Sequence, residues 1–284
     1  MINSKTSFLA LIGNPISHSL SPIMHNAALK YLEINSVYLA FKCKNDDFES
    51  VMNGLRKINC KGVNITIPFK EKVFSLCKEI TPTAKRIRAI NTLKLNSKSE
   101  WSGTNTDIEG FLYPLRKYDL TQKKAIVLGS GGAARSAIQG LIDLRLSEVN
   151  IVSRNQVSLD NLLRDFKNED TLRKFIHTDL EILNILNTAD LIINTTPVGM
   201  KTKNENDLPF GDDFWQSINK ELIVYDLIYN PKPTRLLRFC EKKGCETIDG
   251  SQMLIAQGIK SIEFWFEGIE VPFEVMQYAL KDFL

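Results

Sequence analysis

Histidine is nearly absent, with His18, His25 and His177 the only three in the chain. Three scattered imidazoles leave no set for a His-rich metal centre, and no metal is expected. Cysteine is also sparse. Cys43, Cys60, Cys77, Cys240 and Cys245 make an odd number with no C-x-x-C pair. Neither a disulfide framework nor a zinc site is indicated, and reduced, mostly buried thiols in a cytoplasmic protein are expected. No apolar run reaches the ~18 residues that a membrane span needs. Met1 to Lys5 lead straight into a strand-like segment, without the apolar stretch of a signal peptide. A surplus of one charge is missing too, since 36 basic and 33 acidic residues leave a net charge of +3. That balance carries no nucleic-acid or membrane footprint, although a mildly positive field suits an anionic small molecule.

What is present is ordinary globular material, 43% hydrophobic and 24% charged over 284 residues. At ~150 residues per domain, two domains are expected. Phe8–Gly13 is an apolar run ending at glycine and reads as a buried strand. Ser21-Pro22 fits a helix start, with serine at the cap and proline at the first helical position. Val37–Phe41 reads as a second strand, Asp46–Ile58 as a helix with Phe48, Val51, Met52 and Leu55 on one face, and Gly62–Pro68 as a strand stopped by proline. Successive strand–helix units imply a mostly parallel sheet. Gly103–Asp107 breaks this pattern, and Asp107–Leu115 reads as a helix leading away. A second series begins at Lys124, with strands at Ala125–Leu128, Glu148–Val152, Asp190–Asn194 and Leu222–Leu227. A final amphipathic helix from Ser251 to about Glu267 is expected to return to the first domain. The expectation is an α/β chain: an N-terminal α/β domain over 1–106 completed by 251–284, a dinucleotide-binding domain over 107–250, and a cleft between them.

The strand Ala125–Leu128 runs into Gly129-Ser130-Gly131-Gly132-Ala133-Ala134, which fits G-x-G-x-x-[G/A] between a strand and a helix. Gly129 permits the tight turn, Gly131 lets backbone approach a pyrophosphate, and Ala134 is small enough for close helix–strand packing. The helix N-terminus then offers free amides to phosphate. At the end of the next strand, an acidic side chain would bond the ribose of NAD and repel a 2′-phosphate. This chain has Ser153-Arg154-Asn155 there, and a guanidinium can bond that phosphate. NADP is the expected cofactor.

Three polar clusters stand at strand ends in the first domain. Ser19 and Ser21, two apart in an extended segment, could aim both hydroxyls at a carboxylate, although helix capping by Ser21 is the simpler account. Asn64 and Thr66 project from one strand face, with Lys70 just beyond Pro68. A lysine there is commonly a solvated surface residue, and spacing alone does not assign it to catalysis. Asn91-Thr92 and Asn105-Thr106-Asp107 sit in glycine-bordered turns and offer neutral donors and acceptors plus one charge, as polyol recognition requires.

Together the clusters are more specific than any one alone. Gly13–Pro22, Asn64–Glu71, Ala89–Leu93, Gly103–Gly110, Gly129–Ala134, Asn194–Met200, Tyr225–Pro231 and Asp249–Gln257 resemble, in order and at suitable spacing, the motifs of the shikimate dehydrogenase family. The resemblance implies a substrate domain and a Rossmann-type NADP domain flanking a cleft. It implies reversible reduction of 3-dehydroshikimate to shikimate, on the route to chorismate and the aromatic amino acids. It implies that Ser19 and Ser21 hold the substrate carboxylate, that Thr66, Asn91, Tyr229 and Gln257 bind the ring hydroxyls and carboxylate, and that Lys70 and Asp107 form the catalytic pair. Gly129, Ser130, Gly131, Gly132, Ala133, Ser153, Arg154, Asn155, Leu227 and Gly250 are implied as cofactor contacts. Two departures stand out. Asn-Arg-Thr, usual in the family, is Ser153-Arg154-Asn155 here, and the second basic residue often found soon after is replaced by neutral Gln156, Val157 and Ser158.

In such a reaction a cationic lysine beside the ketone oxygen stabilises the charge that hydride addition leaves there, and it can donate a proton. Asp107 accepts hydrogen bonds from Lys70 and from a substrate hydroxyl. The reverse oxidation needs neutral Lys70 as base and should speed up at alkaline pH. The alternatives are a quinate/shikimate dehydrogenase using NAD, and a non-catalytic dinucleotide-dependent sensor. The sensor would not need both Lys70 and Asp107. The expected partner is a small-molecule substrate, without nucleic acid or membrane, and with a homodimer as the assembly to be tested.

Overall fold

The structure is a computed structural model and describes residues 2–201, 204–216 and 218–284. The chain packs as two units, one of Met1–Gly110 with Leu254–Phe283 and one of Phe111–Met253 with Leu284.

The first unit is built on β1 (Ser7–Gly13), β2 (Ser36–Lys42), β3 (Gly62–Ile65), β4 (Cys77–Ile80), β5 (Thr92–Leu95) and β6 (Trp101–Thr104), arranged in the order β2-β1-β3-β5-β6-β4. Helices α1 (Ser21–Tyr31), α2 (Phe48–Lys57) and α3 (Pro82–Ile87) connect them, and α4 (Asp107–Leu112) leads out. The sheet is mixed: β5 runs antiparallel to both β3 and β6, and the other pairings are parallel. Where the sequence suggests turns at 91–92 and 103–107, Thr92 and Thr104 instead pair across a β5–β6 hairpin. The hairpin arises because Asn96 Oδ1 accepts from the amides of Lys98 and Glu100 and closes a tight turn between two short strands. β3 stops at Ile65, short of the expected Pro68, so Thr66 lies just beyond the strand. The helix from Asp107 ends at Leu112 and tightens to a 3₁₀ turn over Tyr113–Lys117, because Pro114 has no N–H to continue an α-helix. The core of this unit is Ala10, Ile12, Phe48, Met52, Val63, Ile65, Phe69 and Leu93, from the sheet, α2 and the loop after β3.

The second unit holds β7 (Lys124–Leu128), β8 (Glu148–Ser153), β9 (Leu172–Ile176), β10 (Leu191–Asn194), β11 (Ile223–Asp226) and β12 (Glu246–Ile248). All pair in parallel, in the order β12-β11-β10-β7-β8-β9. Its helices are α5 (Gly132–Asp143), α6 (Gln156–Asp165), α7 (Ile182–Thr188), α8 (Asp212–Gln216) and α9 (Arg235–Lys242). The strand order reverses between β7 and β10, the position where doubly wound sheets bind nucleotides beyond the strand C-termini. Near-continuous apolar strands such as Ala125–Leu128, fully buried, are what a parallel sheet covered on both faces requires. α10 (Ser251–Trp265) and α11 (Phe273–Leu280) close the chain, and α10 from Leu254 onward packs with the first unit.

Candidate active site

Phe69 determines where Lys70 sits. Its ring is fully buried and stacks on Phe48 at 4.3 Å, which anchors the backbone just past Pro68. The Lys70 carbonyl accepts from the Ile90 amide at 2.8 Å, tying this loop to the one that carries Asn91. From there Lys70 Nζ donates to Asp107 Oδ2 at 2.6 Å, the two side chains being 15% and 7% exposed. Asp107 opens α4, and its other oxygen, Oδ1, accepts from Asn91 Nδ2 at 2.8 Å. The carboxylate is therefore held from both sides. An ammonium beside a buried, hydrogen-bonded carboxylate has the geometry to deliver or remove a proton at a neighbouring oxygen. Among the described residues, no group of three or more His, Cys, Asp or Glu is placed to hold a metal ion.

The other sequence-predicted residues of this unit take varied settings. Gly13 ends β1 against Thr66, where a Cβ would lie 2.2 Å from Thr66 Cγ2, so glycine is required. The segment before α1 is not extended: Ser19 N bonds Ile16 O in a turn and Leu20 is helical. Ser21 is the first helical residue rather than the cap, and no side chain caps α1. Ser19 Oγ accepts from the Ser21 amide at 3.3 Å, which brings the two serines together. Gln257 in α10 donates from Nε2 to its own helix at Leu254 O, 2.7 Å away.

In the second unit, the glycine turn has the form a pyrophosphate needs. Gly129 has φ +114°, and a Cβ there would meet Thr195 Oγ1 at 2.6 Å. Gly131 is exposed, and a Cβ built on it meets nothing within 4 Å, which leaves open space over the N-terminus of α5. No side chain caps α5 and its first turn has no acidic residue, so its amides face that space. Ser130 Oγ pairs with Ser153 Oγ at 3.0 Å, linking the glycine turn to the end of β8. Asn155 caps α6 through Ser158 N, so its side chain does local structural work. Arg154 is exposed and lines a cavity of about 380 Å³ with His177, Thr196, Phe210 and Arg235. Gly250 lies against Leu227, whose carbonyl oxygen would stand 2.1 Å from a Cβ at 250. Tyr229 follows on the same loop, half-buried. The residues present thus fit a dinucleotide.

Sequence reasoning assigned no role to Asp226, at the end of β11. It is fully buried, and it accepts from Asn194 Nδ2 (2.9 Å), Ile228 N (3.2 Å) and Thr234 Oγ1 (2.7 Å). Burial outweighs these three bonds and pushes its carboxyl up to about 7, with Asp249 adding to the rise. The signal for it was an acid in a strand otherwise reading as buried. The cysteines are all free, and burial pushes Cys60 and Cys77 up to about 12, which keeps them as unreactive thiols.

Comparison with known proteins agrees across the whole chain. The profile of the shikimate dehydrogenase substrate binding domain matches residues 11–93. A shikimate dehydrogenase (NADP(+)) of Prochlorococcus marinus subsp. pastoris is 61% identical, covering 100% of both chains. The crystal structure of the Thermus thermophilus shikimate 5-dehydrogenase, in complex with NADP(H) and shikimate, is similar at TM-score 0.84 and 30% identity, covering 98% of this chain and 100% of that one. That of Listeria monocytogenes, in complex with shikimate and NAD, is similar at TM-score 0.86 and 30% identity, covering 98% of each.

Proposed function

The chain belongs to the shikimate dehydrogenase family, and on that premise we propose that it catalyses the reversible NADP-dependent reduction of 3-dehydroshikimate to shikimate, on the route to chorismate and the aromatic amino acids. The observation that carries this reading is the Lys70–Asp107 pair at 2.6 Å, locked by Asn91. A protein that only senses a dinucleotide has no use for such a pair. NADP, when bound, supplies the hydride donor and acceptor. Gly129 to Ala133 and the α5 amides would hold its pyrophosphate and Arg154 its 2′-phosphate, with Leu227 and Gly250 lining the loop beside it. Lys70 gives a proton to the substrate ketone oxygen during reduction and takes it back during oxidation. Asp107 keeps the ammonium in place and accepts from a substrate hydroxyl. Thr66, Asn91, Tyr229 and Gln257 orient the ring, and Ser19 and Ser21 receive the carboxylate. A cytoplasmic homodimer completes the proposal, and free thiols fit a reducing compartment.

Ser21 is the first residue of α1 and not its cap, so its hydroxyl is not committed to capping. Ser19→Ala and Ser21→Ala should each raise the Michaelis constant for shikimate about tenfold or more, the worth of a hydrogen bond to a charged group. The constant for NADP should stay nearly constant. An unchanged shikimate constant in both variants would remove the serines from the site.

Arg154 stands exposed at the end of β8, with no second basic residue directly after it. Arg154→Ala should raise the Michaelis constant for NADP about tenfold, a charge-assisted contact at a solvent-screened position, and leave that for NAD almost unaltered. The preference for NADP should shrink as salt rises. Equal losses for both cofactors would show that Arg154 does not read the phosphate. The lack of a second basic residue directly after Arg154 is also what favours a second reading, broader acceptance of NAD.

A further inference from the structure

Four side chains from separate parts of the first unit meet beneath the Lys70–Asp107 pair. They are Asn64 in β3, Thr92 at the start of β5, Thr106 just before α4, and Ser261 in α10. Thr92 and Ser261 are fully buried, Thr106 is 4% exposed and Asn64 5%. Ser261 Oγ lies 2.9 Å from Thr92 Oγ1 and 3.2 Å from Thr106 Oγ1. Asn64 Nδ2 lies 2.9 Å from Thr92 Oγ1, 3.0 Å from Ser261 Oγ and 3.2 Å from the Asn91 backbone carbonyl, and its two hydrogens are shared among these three acceptors.

The directions of these bonds are dictated by groups that can act in only one way. The Asn91 carbonyl can only accept, so the Asn64 nitrogen 3.2 Å from it must point inward, and Asn64 Oδ1 accepts from the Tyr38 hydroxyl at 2.8 Å. The Thr106 backbone N–H can only donate, so Asn91 Oδ1 at 2.8 Å must face it. Asn91 Nδ2 is thereby turned toward the Asp107 carboxylate. A flipped Asn91 would set oxygen against oxygen there. The hydroxyls complete the arrangement. Ser261 donates to Gln257 O at 3.0 Å and so meets the cluster as an acceptor. Thr92 and Thr106 have one hydroxyl hydrogen each, and the acceptors within reach are Asn91 Oδ1, Ser261 Oγ and, at 3.3 Å, the other threonine's oxygen. Without Ser261, those hydrogens are left with Asn91 Oδ1 and the longer 3.3 Å contact between the two threonines, and Asn91 Oδ1 is contested in a buried space where a poorly met donor is costly.

We propose that Ser261 and Thr92 are positioning residues for the reaction, holding the Asn91 amide and, through it, the Asp107 carboxylate in register with Lys70. This rests on the reading that Lys70 and Asp107 act in turnover. Ser261 also bonds the backbone carbonyl of Gln257, one helical turn earlier, which fixes its own hydroxyl within α10.

The test compares Ser261→Ala, Thr92→Val and Thr92→Ser with the wild type, by shikimate oxidation with NADP and by crystal structures. Ser261→Ala and Thr92→Val should each lower kcat about tenfold, with both Michaelis constants within about twofold of wild type. Thr92→Ser, which keeps the hydroxyl, should recover most of the loss. Crystals of Ser261→Ala should show Asp107 displaced from Lys70 or Asn91 in a second orientation. Full kcat in folded Ser261→Ala, or equal losses in Thr92→Ser and Thr92→Val, would overturn the proposal. So would crystals of Ser261→Ala in which both the Lys70–Asp107 contact and the Asn91 amide are unchanged. A wild type that fails to oxidise shikimate would instead sink the functional reading, and the crystal arm would still decide the positioning claim.

Discussion

Lys70→Ala should reduce shikimate turnover by about 10²–10⁴-fold, the usual worth of one general acid–base group. The side chain is 15% exposed and makes its contact with Asp107 at 2.6 Å, so its amine is spent on one carboxylate and on what binds beside it. Shikimate binding should survive, because the proposed carboxylate contacts, Ser19 and Ser21, lie on a different segment, at the start of α1. The variant leaves Asp107 with Asn91 Nδ2 as a remaining donor, so its carboxylate keeps one hydrogen bond. The check is kcat in protein shown to be folded, alongside shikimate affinity by titration calorimetry. Near wild-type kcat would remove Lys70 from the chemistry. A loss of binding that matched the loss of rate would make Lys70 a binding residue.

Asp226 should impose a pH dependence on the stability of the second unit. Its carboxyl is pushed up to about 7 from an ordinary value of 3.8, by burial first and by Asp249 last, against the pull of its three hydrogen bonds. Between those two values the folded chain holds a proton that the unfolded chain has released. The stabilisation from that proton is fully present below about 3.8 and is lost as pH rises through about 7. A shift of this size corresponds to about 4 kcal/mol across the window. Asp226→Asn cannot titrate, so the difference in unfolding free energy between wild type and variant should change by an amount of that order from about pH 4 to about pH 8. Urea melts across this range measure it, and taking the difference cancels the other carboxylates. Parallel profiles for the two proteins would show that Asp226 is already ionised when buried. The residue has a structural stake as well: it joins Asn194 to the cap residue Thr234, and the loop between holds Leu227 and Tyr229.

Much of the fold was legible because its signals are local. The apolar runs at Phe8–Gly13 and Ala125–Leu128 have one stable use, as strands covered on both faces. The glycine turn after β7 could be read because Gly129 needs a positive φ and Gly131 must stay bare. The Thr92–Thr104 hairpin was missed because its strands have four residues each and its turn rests on Asn96, a side chain that a periodicity scan ignores. The start of α1 was misplaced by one residue, since serine before proline suggests a cap whether or not its hydroxyl is used. Lys70 and Asp107 stand 37 positions apart, and nothing in their local sequence says that they touch. Ser261 was less visible still. A serine on the apolar face of a helix reads as a minor flaw in the pattern until Asn64, Thr92 and Thr106 are seen around it.

Oxidation of shikimate with NADP by this chain is the central claim. It is tested most directly by measuring initial rates from the absorbance of the reduced nicotinamide, crossing shikimate and quinate with NADP and NAD. Shikimate with NADP should give the highest kcat/KM, with NAD and quinate both inferior. Equal or better efficiency with NAD, or with quinate in place of shikimate, would contradict the claim and favour the quinate/shikimate reading, and no turnover in any combination would favour a sensor.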